Sequence, residues 1–325
     1  MMKDEWELFK ANPWDGILTD TYPHGRLLYQ RDERYWVSIN DVGQWMFFIH
    51  GKCAEDFDIN VNLPSISLVL EEYKHDEKRL VCTLLDNSNG LGSKFALVAK
   101  YIACETTAFH GRELFKNVIK TILSWSAFLR PTNGSLTQAE LIGFWGELFV
   151  VTRMMSFHPI DDVMRYWVGP EGAKKDITLS SIAIEVKATV TSGAREINIS
   201  SLDQLDRTTR KLYLLHLQLT PSSEEPGLSL NDLYIELKAK CALNFSTLAL
   251  FTRKTEEVMN KASKYQIAES FTLSKFSMYD VCEDFPKITR TDVAEGIVDA
   301  KYRLTVSSLL PFEVTHNTTE IIRIG

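Results

Sequence analysis

A chain of 325 residues, 45% apolar and 24% charged, is long enough for two domains or one elaborated domain and has an ordinary globular composition. A net charge of −7 counts against a dedicated non-specific nucleic-acid binder, although an enzyme with a locally positive cleft stays compatible with it, since metal-binding carboxylates add to the negative count. No run approaches 18 uncharged apolar residues, so no membrane span is expected; the charged start MMKDEWELFK lacks the apolar core of an export signal, so a cytoplasmic protein is expected. The five cysteines are scattered with no C-x-x-C pair and the seven histidines show no ligand spacing, which excludes a zinc site or a disulfide framework.

Residues 1–92 read as a β-rich domain. Strand-like runs begin at Arg26, Tyr35, Trp45, Ser65 and Arg79, and turn-rich pieces such as Tyr22-Pro-His-Gly and Asp86-Asn-Ser-Asn-Gly separate them. Trp36, Trp45, Phe47 and Phe48 read as core rather than as a base-stacking platform.

Residues 93–220 read as a helical lead-in followed by a second domain. Helical spacing covers Ser93–Ile102 and Arg112–Leu129, and Pro131-Thr-Asn-Gly breaks it. Thr137-Gln-Ala-Glu140 is a capping box that opens a helix to about Phe157. Gly143 and Gly146 each weaken that helix by about 1 kcal/mol relative to Ala, a cost tolerated where another backbone must come close. Glu140 is assigned to the cap, and Glu147 to a site beside the following strands. Residues 162–173 read as a loop, with Trp167 plugging the core at its base.

Lys174 to Thr189 organise the chain. Ile182, Ile184 and Val186 alternate with Ala183, Glu185 and Lys187, as in a strand. If Ser180-Ser181 is a two-residue turn, Leu179 faces Ile182, Ile177 faces Ile184 and Asp176 faces Glu185, with opposed Cβ atoms roughly 5 Å apart. Two opposed carboxylates repel and need a cation. Lys187 alone could serve; so could Mg²⁺, which favours one or two carboxylates plus waters and a substrate phosphate. A lysine beside such an ion can orient or deprotonate water and offset phosphate charge. Lys174 and Lys175 fall at the mouth of this site as candidate DNA-phosphate contacts, or as a solvated pair.

Ala194–Ser200 reads as a third strand. Ser201-Leu-Asp-Gln204 reads as a second capping box, which gives Gln204 a structural role, and Arg207 and Arg210 make the next segment basic and add two DNA-contact candidates. Leu212–Leu219 is a buried strand in which His216 reads as a satisfied sheet residue. Residues 221–325 begin with a polar linker, then two helices (Leu230–Ala242, Ser246–Ala262) and strands over Phe271–Val281, Phe285–Thr289 and Ala300–Val306. This mixed α/β tail is a target-reading or assembly element.

The order from 137 to 219 is αβββαβ. Asp176 followed by Glu185-Val186-Lys187 resembles the PD-(D/E)XK nuclease signature, with Lys175 where the motif name has Pro. Gly143 to Leu148 (G-x-W-G-E-L), Trp167-Val-Gly-Pro, Lys174-Lys-Asp-Ile, Ile184-Glu-Val-Lys and Ile197 to Leu205 resemble bacterial proteins described as "PD-(D/E)XK motif protein". The resemblance covers most of the chain and implies a restriction-endonuclease-like α/β (α+β) core with β-rich N-terminal and mixed C-terminal elaborations. It implies a Mg²⁺-dependent endonuclease acting on double-stranded DNA in restriction or phage defence, beside methyltransferase and helicase-like ATPase subunits, with homodimers common in this fold. Asp176, Glu185 and the Val186 carbonyl would bind metal, Lys187 would act on water, and Glu147 and Gln204 would assist. The alternative is a catalytically silent DNA-binding or scaffold subunit; silent members usually lose a motif residue, and all three are present here.

Overall fold

The computed structural model describes residues 12–19, 25–28, 32–53, 59, 61, 63–88, 90–130, 134–190, 196–206, 211–222 and 227–314. The chain divides into two compact units, residues 1–133 with 243–253, and residues 134–242 with 254–325.

The first unit is built on an antiparallel sheet in the order β1-β2-β3-β5-β4, formed by Arg26–Leu27, Tyr35–Ile39, Trp45–Lys52, Ile66–Lys74 (β4) and Glu77–Leu84 (β5). Alternation puts Tyr35, Val37, Phe47, Ile49, Leu80 and Cys82 on one face, where they meet helices α1 (Leu91–Glu105) and α2 (Gly111–Ser124). The sequence reading had grouped these helices with the second domain. Their apolar faces instead close the core of the first sheet, and Phe245 and Ala249, far along the chain, join the same cluster.

The second unit carries a mixed sheet in the order β10-β11-β9-β7-β6. Its strands are β6 (Ile177–Thr178), β7 (Ile182–Val190), β9 (Lys211–Ser222), β10 (Leu228–Ser229) and β11 (Ser270–Asp280). β7 and β9 run parallel, with Lys187 aligned to His216; the other pairings are antiparallel. β11, expected in a separate tail, is a central strand of this sheet.

Helix α3 (Gln138–Met154) is capped as expected, with Thr137 and Glu140 exchanging hydrogen bonds. It is apolar on nearly every side, from Leu141 through Phe144, Trp145, Leu148 and Val151, because it is covered on nearly every side. It lies against β7, and helix α5 (Leu230–Cys241) lies against it.

Four expectations are corrected. Residues 162–166, read as loop, belong to helix α4 (Ile160–Tyr166), with Pro159 at its N-cap, Asp161 and Asp162 in its first turn and Arg165 in its last. That charge order suits the helix dipole. The third strand, β8 (Glu196–Ile199), leaves the main sheet and pairs with β12 (Tyr302–Thr305). The helix expected after it is a single 3₁₀ turn, Leu202–Gln204, among the described residues. Phe285–Thr289 is not a strand: Phe285 is buried against Phe312, and Thr289 caps a short turn with Asp292. No described helix is long and apolar enough to cross a membrane.

Candidate active site

The turn at Ser180-Ser181 sets the site. Leu179 N–H donates to the Ile182 carbonyl at 2.9 Å, and Ile177 pairs with Ile184 and Thr178 with Ala183. Counting back one residue brings Asp176 level with Glu185 at the start of the hairpin. The Asp176 carbonyl accepts from Val168 N–H (2.8 Å) and Gly169 N–H (2.9 Å), and its Oδ2 accepts from Val186 N–H at 2.7 Å. The side chain is therefore fixed from both ends.

Glu185 is 1% exposed, and its Oε1 lies 2.9 Å from Lys187 Nζ. The contact is an ion pair without hydrogen-bond alignment, so Oε1 has no proper donor. Lys187 Nζ also donates to Gln204 Oε1 at 3.0 Å. This corrects the capping reading of Gln204: its Oε1 accepts from Lys187 and from Ser200 N–H (2.8 Å), one residue before the supposed cap, and Ser201 makes no side-chain cap. Lys175 Nζ holds the turn from behind, donating to the carbonyls of Asp203 and Gln204. Lys174 pairs with Asp203 at 3.2 Å and stays largely exposed. Arg207 and Arg210 lie outside the described residues.

Glu147 reaches the site because α3 comes close to β7. A Cβ on Gly146 would stand 2.8 Å from Ala188 Cβ, so only glycine permits that approach. Glu147 Oε2 accepts from Trp167 Nε1 at 2.8 Å. A Cβ on Gly169 would lie 2.8 Å from both Asp176 Oδ1 and Glu147 Oε2, so the bare glycine backbone is what lets the two carboxylates flank one point. Trp167 is buried, as expected of a core plug, and Gly169 was visible only in a loop motif; their part in setting Glu147 was missed.

Burial dominates the electrostatics. Glu147 is pushed up to about 8 by desolvation, then by Asp176, against the pull of the Trp167 hydrogen bond. Glu185 is pushed up to about 8 by desolvation and Asp176, with Lys187 opposing. Asp176 is raised by desolvation, opposed by Lys187 and by Val186 N–H. Three acids thus face two ammonium groups, Lys187 and Lys175. Such a set is short of positive charge and fits a hard divalent cation, for which Asp176 and Glu185 supply the oxygens, the Val186 carbonyl lies between them and the lysine in sequence, and Glu147 stands alongside. Among the described residues no three His, Cys, Asp or Glu side chains close around a single point.

Glu147, Asp176 and Lys187 open on a cavity of about 420 Å³ whose wall also includes Thr189, Asn198 and Gln204, with Glu185 buried behind it. Thr189 and Asn198 were not singled out from sequence; each follows on a strand already carrying the motif, two residues beyond Lys187 and one beyond Ile197.

A family model described as "Putative PD-(D/E)XK family member, (DUF4420)" matches residues 16–307. No curated protein and no solved structure matches the chain.

Proposed function

The chain belongs to the DUF4420 family of PD-(D/E)XK proteins, and from that membership we propose that it is a metal-dependent endodeoxyribonuclease. The observation that carries the reading is that Glu147, Asp176 and Lys187 line one cavity, with Lys187 held between the buried Glu185 and Gln204. A bound Mg²⁺ would supply Lewis-acid stabilisation of the phosphate and its leaving oxygen. Asp176 and Glu185 would hold that ion, with the Val186 carbonyl as a further oxygen ligand. Lys187 Nζ orients the attacking water and offsets charge on the phosphate. Gln204 fixes the direction of the ammonium. Glu147, anchored by Trp167, presents a carboxyl that, once ionised beside the cation, can take a proton from water at the site. Attack in line forms the water oxygen–phosphorus bond as the water gives up a proton, and breaks the bond to the 3′ oxygen, which takes a proton from solvent water, leaving a 5′-phosphate and a 3′-hydroxyl.

The proposal extends to double-stranded DNA as substrate, with Lys174 a backbone contact at the rim. It also extends to restriction or phage defence beside methyltransferase and helicase-like ATPase subunits, and to a homodimer that cuts both strands. These parts rest on the family resemblance.

The test is cleavage of unmodified and methylated plasmid with Mg²⁺, by wild type and Lys187→Ala side by side. Cutting by wild type alone supports the enzyme and the site together. Equal cutting by Lys187→Ala would sink the site assignment. No cutting by either, combined with no Mg²⁺ heat at Asp176 and Glu185 in calorimetry, would favour a silent subunit.

A further inference from the structure

A lysine outside the cavity holds the segment on which the site rests. Lys254, on helix α6 (Phe245–Lys261), is only 4% exposed. Its Nζ donates to the Trp167 carbonyl, lies 5.8 Å from the centre of the Trp167 ring and faces Glu171 Oε1 at 3.5 Å. Taking an ammonium out of water is costly, and an apolar side chain of similar length would fill the same space without that cost. Packing alone therefore does not account for a cation at this position.

Trp167 is where the supports of two acids meet. Its Nε1 donates to Glu147 Oε2 at 2.8 Å, and its ring rests against Phe144 with centroids 6.1 Å apart. The next two backbone N–H groups, of Val168 and Gly169, both donate to the Asp176 carbonyl. The carbonyl that Lys254 holds thus belongs to the residue that reaches Glu147 by its side chain and leads directly into the grip on Asp176. The fit is close, since a Cβ on Gly169 would stand 2.8 Å from both Asp176 Oδ1 and Glu147 Oε2. Among the described residues the cavity wall includes neither Lys254 nor Trp167, so Lys254 touches nothing bound there.

We propose that Lys254 is a positioning residue of this site, fixing residues 167–169 so that the Trp167 indole holds the Glu147 carboxyl at the cavity. Its effect on cleavage rests on the nuclease reading; the positioning itself does not.

Nitrogen-15 spectra of the tryptophan indoles in the full chain, free of divalent metal, test it. Trp167→Phe identifies the Trp167 resonance, and Glu147→Ala gives its position without the carboxyl acceptor. Lys254→Met keeps the length of the side chain and removes the ammonium. It should bring the Trp167 resonance at least halfway to its position in Glu147→Ala and leave the other indoles in place. Lys254→Gln, polar but one atom shorter, is read in the same way if the methionine variant does not fold. Cleavage should slow about 10- to 100-fold in Lys254→Met, as on loss of an orienting partner. In a Trp167→Phe background the same change should cost little more, because both substitutions break one chain of contacts. An unmoved Trp167 resonance in the folded variant, movement of all indoles together, or an undiminished cost in the Trp167→Phe background would overturn the proposal. A shifted resonance in a protein whose wild type cuts nothing would support the positioning and count against the nuclease reading alone.

Discussion

At the scale of single residues, the site depends on how Lys187 is aimed. Its ammonium lies between Glu185 Oε1 at 2.9 Å and Gln204 Oε1 at 3.0 Å, and Gln204 is in turn fixed by Ser200 N–H and by Lys175 behind it. Gln204→Ala should therefore cut cleavage by about 10- to 100-fold, the usual cost of losing an orienting partner, with little change in thermal stability. Lys187→Ala should abolish cleavage. Equal loss in both variants would make Gln204 more than a positioning residue, and no loss in Gln204→Ala would remove it from the site. Asp176, Glu185 and Lys187 were legible in the sequence because a two-residue turn and the period of a strand fix which side chains meet. Gln204 stood both as a cap and as a site candidate because S-x-x-Q is also a capping pattern, and local spacing cannot tell whether a side chain bonds back to its own turn or across to another strand.

At the scale of elements, two glycines on α3 give opposite forecasts. A Cβ at Gly146 would sit 2.8 Å from Ala188 Cβ, whereas one at Gly143 meets nothing within 4 Å. Gly146→Ala should destabilise by about 1–3 kcal/mol through overpacking and lower activity by moving Glu147. Gly143→Ala should gain up to about 1 kcal/mol from helix propensity. Denaturant melts of both variants check this; equal shifts would mean that α3 does not rest on β7 through Gly146. Gly169→Ala should reduce cleavage more than stability, since its Cβ would meet Asp176 Oδ1 and Glu147 Oε2 at 2.8 Å. Most strands and long helices were legible from apolar periodicity. Helix α4 was not, because it spans only Ile160–Tyr166 and its neighbours carry the turn residues Pro159, Gly169 and Pro170. The pairing of β8 with β12 joins segments about a hundred residues apart, and alternation names a strand without naming its partner.

At the scale of the whole molecule, chain order misled the division into domains, because residues 243–253 join the first core and β11 the second sheet; such long-range membership leaves no local trace. Charge balance was legible only as a total. The structure shows where charge is strained, and that gives a pH forecast with two arms of opposite sign. His216 is 1% exposed and pushed down to about 4 by burial and then Lys275. A depressed histidine contributes stability above its unfolded value near 6.5, lost as pH falls through about 4, at most about 3 kcal/mol. Glu185 acts the other way. Its folded value is raised to about 8 from an ordinary 4.5, so its contribution is full below 4.5 and is lost as pH rises through about 8. Glu185→Gln keeps the shape and removes the charge. Without divalent metal, it should become progressively more stable than wild type from about pH 5 to about pH 9, by several degrees in Tm. Mg²⁺ should reverse the order, because it binds and stabilises the ionised wild-type site and finds a ligand missing in the variant. Melting curves for both proteins with and without Mg²⁺ separate these effects. If the two proteins track each other at every pH in its absence, Glu185 is not the strained charge. If Mg²⁺ raises both alike, the ion binds elsewhere, and the argument that these carboxylates are built to hold it fails.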